Sequence, residues 1–147
     1  MFRLEECVGF ITSTASKELS DEFNRRLLLK GSTRVQWIAL YYIGNEKGIS
    51  QKVLADKINV KESTIVRLID RMEKEGIVKR EKEETDRRVT NIFLTEKGEN
   101  LKEELLPLGE KFSDDITKGI KQEHIDIFNS VLRKMVLNIN MNVDNIT

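Results

Sequence analysis

The sequence predicts a mainly α fold with one small β-hairpin. Apolar residues recur every three or four positions through most of the chain, the period of amphipathic helices. Composition agrees: 34% of the 147 residues are charged and only 6% aromatic, as suits long solvated helices better than a β-rich body. Only residues 76 to 95, GIVKREKEETDRRVTNIFLT, set short apolar runs on either side of a charged loop, with strand-like alternation in the second.

Residues 3 to 29 space Leu4, Cys7, Val8, Ile11, Ala15, Leu19, Phe23 and Leu27 as one apolar stripe along a long helix. Gly31 ends it. Thr33 and Gln36 then match the S/T-x-x-E/Q capping box, opening a helix through Trp37, Ile38, Leu40, Tyr41 and Ile43 that is apolar enough to be central. Ser50 caps a short helix, SQKVLADKI, with Val53, Leu54 and Ile58 inward. Asn59 tolerates the left-handed conformation that turns one helix into the next. Residues 62 to 75 follow, with Ile65, Leu68, Ile69 and Met72 on one face, and Gly76 stops them. Ile77 to Arg80 and Thr90 to Thr95 form the hairpin, Ile92 and Leu94 alternating with polar neighbours. Thr95 caps a long helix that Pro107 is expected to kink or interrupt. Beyond Gly119 a last helix repeats Ile125, Phe128, Val131, Leu132, Met135, Val136 and Ile139. A flexible polar tail is expected at 142–147.

The middle, 31–98, is thus a helix-turn-helix followed by a β-hairpin wing. The terminal segments, 1–30 and 99–141, carry strong apolar stripes without an obvious partner in the middle, which suits helices that pair two copies of the chain. The expected fold is therefore a winged helix-turn-helix plus terminal dimerisation helices.

Several function classes are disfavoured. No apolar run approaches the ~20 residues that span a bilayer, and MFRLEECVGF lacks the sustained apolar core of a signal peptide, so a cytoplasmic protein is expected. One cysteine, Cys7, and one histidine, His124, supply neither a disulfide nor a zinc cluster, and no metal or cofactor is expected. They lie far apart, with no glycine-rich elbow or phosphate loop near either, so no catalytic residues are assigned and no enzyme is expected. Lys+Arg and Asp+Glu both number 25, but the acidic excess sits late: residues 96 to 126 hold nine acids and five bases, residues 61 to 90 eight and nine. Only a specific arrangement of the middle would make a basic surface.

Placed on a helix at about 100° per residue, 62 to 75 turn Ser63, Arg67, Asp70, Arg71 and Lys74 away from the apolar face. Such a helix can enter a major groove, where an Arg fork meets guanine acceptors and helix-start amides meet phosphate. Val66 and Thr64 flank the face, either able to touch a thymine methyl, and Lys61 can reach a phosphate. The loop KEETDRR cannot bury its charges, so it projects, carrying Arg87 and Arg88 toward a minor groove. Asp86 is expected to orient Arg88, and Asp70 to pair with a wing arginine.

The order of parts resembles the MarR family of bacterial transcription regulators over nearly the whole chain. The specific part is 50 to 98, where LADKI, STIVRLIDRMEKEGIVKR, DRR and LTEKG stand at the family's spacing. The resemblance implies a two-fold dimer that binds palindromic operator DNA, usually as a repressor. It places Ser63, Thr64, Val66, Arg67 and Arg71 on the recognition helix and Asp86, Arg87 and Arg88 in the wing's Asp-x-Arg motif. Lys61, where relatives often have a Ser or Thr cap, and Asn59, in place of a common glycine, depart from the pattern. Val66, where many relatives are polar, also departs, so an operator sequence does not carry over.

The resemblance further implies release from DNA by a small aromatic or amphipathic molecule, for which Arg34, Trp37, Tyr41 and Tyr42 are the candidate pocket. Trp37 and one tyrosine also read as plain core. Another branch of the family senses peroxide through a cysteine; Cys7 lies in roughly that region, but Glu5 and Glu6 beside it and its place on the apolar stripe favour packing. The remaining alternative is a winged-helix protein-interaction module without DNA binding.

Overall fold

A computed structural model describes residues 1–142; the tail expected at 142–147 lies outside them apart from Asn142. The chain divides into two compact units, one ending at Phe112 and the other beginning at Ser113.

The first unit does not start with the unbroken helix expected from residue 3. A 3-10 turn at Leu4–Glu6 is closed by the Cys7 N–H on the Leu4 carbonyl, and α1, Val8–Leu28, begins afresh with Cys7 as its N-cap. Leu4, Val8 and Ile11 stand exposed, so no core holds this end in register, and Gly9 weakens the first turn. Farther along, Phe23 and Leu27 reach the core. Gly31, at φ 73°, turns the chain into α2, Arg34–Asn45. Thr33 caps α2 by accepting from the Gln36 N–H at 3.2 Å, but the capping box is only half made. The Gln36 side chain is buried and pairs with the Ser32 hydroxyl at 3.0 Å instead.

Ile49–Ser50 form a short strand, β1, that the sequence reading missed: two residues leave no room for a period-two pattern. The Ser50 hydroxyl accepts from the Val53 N–H at 3.2 Å and so opens α3, Gln51–Ile58. That cap sets the phase of the helix. Leu54 and Ala55 fill the core-facing arc, while Val53, expected inward, lies 42% exposed. Asn59 adopts φ 58°, ψ 50°, the left-handed C-cap that leads into α4, Glu62–Lys74.

Beyond Gly76, β2 (Val78–Lys82) and β3 (Thr90–Leu94) make the hairpin, and the three strands lie in the order β1-β3-β2, all antiparallel. Ile92, paired with Ile49 on one side and Arg80 on the other, is fully buried beneath the sheet's centre. Ile65, Leu68, Ile69 and Met72 of α4 join Leu27, Leu40, Ile43 and Leu54 in one core.

The Thr95 hydroxyl caps α5, Glu96–Thr117, by accepting from the Gly98 N–H at 3.1 Å. Pro107 does not interrupt α5. Its missing N–H would have served the carbonyl of Glu103, an exposed residue, where water can substitute. In the second unit Gly119, at φ 79°, ends α5 before α6, Gln122–Asn142.

Candidate nucleic-acid interface

The helix pair α3 and α4 is fixed by local chemistry. Asn59 and Val60 donate their N–H groups back to Asp56 and Ala55, the reverse turn that a left-handed cap allows. Four apolar residues then anchor one side of α4. On the other, Ser63, Thr64, Arg67, Asp70, Arg71 and Lys74 are exposed, and Val66 is half-buried at the boundary. Lys61, the N-cap, makes no side-chain cap bond. The first-turn amides of Glu62 and Ser63 therefore face outward at the positive end of the helix, where an anion is favoured.

The wing tip is an Asx turn. Asp86 accepts from the Arg88 N–H at 3.1 Å and again from its guanidinium at 3.1 and 3.3 Å, while Val89 N–H returns to the Asp86 carbonyl. The guanidinium, then the N–H, of Arg88 hold the Asp86 carboxyl below its ordinary range. Arg88 is thus oriented by Asp86 as expected, and Arg87 is left exposed beside it.

The expected partner for Asp70 on the wing is a different arginine from those at the tip. Arg80, on β2 at the wing's base, donates to Asp70 at 2.6 Å and to Glu73 at 2.9 Å. It also meets the Gln51 side chain at 2.8 Å and the Val66 carbonyl at 3.2 Å, and its own N–H goes to Glu73. Sequence reasoning missed Arg80, Gln51 and Glu73. The available signal was alternation: Arg80 shares a strand face with buried Val78, and a charge turned toward a core needs partners. With Asp70 and Glu73 so engaged, Arg67, Arg71, Lys74 and Arg87 enter no ion pair among the described residues.

Of the four residues expected to line a ligand pocket, the three aromatic rings are in consecutive contact. Arg34, Trp37 and Tyr41 follow at three- and four-residue steps on one flank of α2, with the Trp37 and Tyr41 rings stacked. Trp37 is also structural: its indole N–H donates to the Leu105 carbonyl at 2.8 Å, and its ring lies edge-on to Phe23 and against Gly109. Tyr42 lies edge-on to Tyr41, with ring centres 5.4 Å apart, and under the ammonium of Lys57. A separate cleft of about 370 Å³ lies between the start of α2 and α4, lined by Thr33, Val35, Thr64, Arg67, Leu68 and Arg71.

Residues 32–90, which hold the α3–α4 pair and most of the wing, match the family model described as "MarR family". That segment, about two fifths of the chain, is similar to the MarR family. Transcriptional regulator HosA of Escherichia coli is 27% identical to this chain over 104 residues, 71% of the chain and 77% of HosA. Among solved structures, the S. aureus MepR–DNA complex superposes with a TM-score of 0.83 at 20% identity, covering 90% of this chain and 98% of that one. CouR from Rhodococcus jostii RHA1 bound to p-coumaroyl-CoA superposes at 0.81 with 23% identity, covering 92% and 95%. At these identities the two structures establish the fold, a winged helix. The matched family model and HosA are those of transcriptional regulators. Among the described residues no helix is long and apolar enough to cross a membrane.

Proposed function

We propose that this chain is a MarR-family, sequence-specific, cytoplasmic DNA-binding regulator, acting as a homodimeric repressor of a palindromic operator and released by a small molecule. The observation that carries this reading is the outward face of α4, where Ser63 and Thr64 stand at an uncapped helix start and Arg67, Arg71 and Lys74 follow along the helix, without a carboxylate holding the cations. Arg67 and Arg71 read bases, Lys61 and Lys74 meet phosphates, and Val66 and Thr64 offer methyl contacts. The wing enters the flanking minor groove with Arg87 leading, Arg88 being held by Asp86. Residues 31–98 form the DNA-binding part, and 1–30 with 99–141 the dimerisation part.

Relatives support both halves of the reading: MepR is solved with DNA and CouR with p-coumaroyl-CoA. In this chain the flank formed by Arg34, Trp37 and Tyr41 is the proposed place for an aromatic effector. A molecule in the cleft beneath Arg67 and Arg71 would compete with DNA directly.

The test is fluorescence anisotropy, across a salt series, on DNA immediately upstream of the chain's own gene. Tight binding that weakens with salt, and weakens further in the Arg87→Ala/Arg88→Ala variant, is expected. Binding no better than to a random fragment, followed by failure to select any duplex from random DNA, would leave a protein-interaction module as the function.

A further inference from the structure

Arg80 is the least exposed of the three charged side chains, at 20%, yet its two carboxylate partners belong to the DNA-facing helix: Asp70 is 61% exposed and Glu73 42%. Without Arg80, those acids have other choices. Asp70 stands three residues after Arg67 and four before Lys74, the two spacings at which oppositely charged side chains meet on a helix surface. An unengaged Asp70 would draw the very cations that face outward, and both acids would set negative charge beside the phosphates.

We propose that Arg80 is a positioning residue for DNA binding, an internal counter-ion that engages Asp70 and Glu73 so that Arg67, Arg71 and Lys74 stay free for the nucleic acid. This rests on the DNA-binding reading above and adds to it a residue that touches no DNA. The geometry suits the role. The guanidinium reaches the helix from the wing's base, and its bonds to the Gln51 side chain and the Val66 carbonyl fix its plane. The Arg80 N–H to Glu73 orients the second acid from behind. The three charges leave one net negative; removing the arginine leaves two, and neutralising both acids as well leaves none.

That charge sequence separates a counter-ion from a staple that merely joins wing to helix. Binding of the full chain to an operator and to a random duplex would be compared for Arg80→Gln and for Arg80→Gln combined with Asp70→Asn and Glu73→Gln. Arg80→Gln is expected to weaken binding to both duplexes by about tenfold at low salt, the deficit shrinking as salt rises. The triple variant is expected to recover at least wild-type affinity although every charged bond of the cluster is gone. Wild-type binding by Arg80→Gln, or a triple variant as weak as the single one, overturns the proposal.

Should circular dichroism show Arg80→Gln unfolded, Asp70→Asn/Glu73→Gln in the Arg80 background decides. It is expected to bind random duplex several-fold tighter than wild type, and unchanged binding overturns the proposal. A wild-type chain that binds no duplex removes the DNA reading and this inference together. Binding indifferent to these charges removes only this inference.

Discussion

Arg67 stands on the outward face of α4, one helical turn beyond Ser63 and clear of any carboxylate among the described residues. A guanidinium in that position has a rigid fork of donors and nothing of its own to satisfy them, the condition for reading a base edge bidentately. Arg67→Ala is therefore expected to flatten preference at one base pair of each half-site, at about 1–3 kcal/mol, with other positions ranked as before. Affinities for a panel of single-base operator variants would show this, and an unchanged ranking would take Arg67 out of the groove. A different charge on α1 answers to pH. Glu22 accepts from Arg25 at 2.8 and 2.9 Å and from Arg26 at 2.8 Å, and these guanidiniums, Arg25 first, hold its carboxyl at about 2 instead of 4.5. A carboxyl depressed in the folded state stabilises above its unfolded value and loses that contribution as pH falls toward the folded one. Glu22→Gln is thus expected to melt slightly below wild type at neutral pH, solvent screening keeping the gap small, and to converge with it near pH 2. A gap in melting temperature that persisted at pH 2 would assign the effect to packing rather than charge.

At the scale of elements, the features readable in the sequence are those decided within a few residues. Thr33, Ser50 and Thr95 accept helix-start N–H groups as a hydroxyl before an apolar run should, and Asn59 and Gly76 take the left-handed turns. The periodicity of α4 sorted its buried and exposed residues correctly for the same reason. What escaped depends on distance along the chain. Arg80 meets Gln51, 29 residues away, and β1 exists only because Ile49 and Ser50 find Ile92 and Asn91. The break at Cys7 escaped because a stripe of apolar residues does not disclose whether its own core reaches them. Gly98 belongs with these distant effects. It is buried in the first turn of α5, and a Cβ there would overlap the carbonyl oxygen of Ile77, which also accepts from the Thr95 N–H. The obstacle is backbone of the segment between α4 and β2, so it cannot move aside like a flexible side chain. Gly98→Ala is expected to lower stability by about 1–3 kcal/mol despite alanine's better helix propensity, read as a lower urea midpoint. A variant more stable than wild type would mean that the segment after α4 yields freely.

At the scale of the whole molecule, the apolar surface left over asks for a partner. Phe10, Ile11 and Leu19 are exposed in the first unit, and Ile127, Phe128, Val131, Val136, Leu137 and Ile139 in the second, every one at 43% or more. A monomer rarely leaves so many large apolar side chains in water, and their cost is removed when the same surface is buried against a second copy. The proposed operator reading asks for that copy independently: two recognition helices about 34 Å apart meet successive major grooves on one side of a duplex, and one helix alone reads a half-site too short for tight binding. Phe128 and Val131 lie three residues apart on one flank of α6, so in the proposed dimer two glutamates there would set four charges into a symmetric interface. Phe128→Glu/Val131→Glu is expected to sediment as a monomer with unchanged helical content. Its operator affinity should fall by orders of magnitude, because the second half-site no longer binds as part of the same molecule. A variant that remained a dimer would place the contact on the first unit's stripe around Phe10 and Ile11. A wild-type chain that sedimented as a monomer yet bound a palindrome tightly would show the two copies meeting first on the DNA, with the duplex supplying the symmetry that the protein lacks in solution.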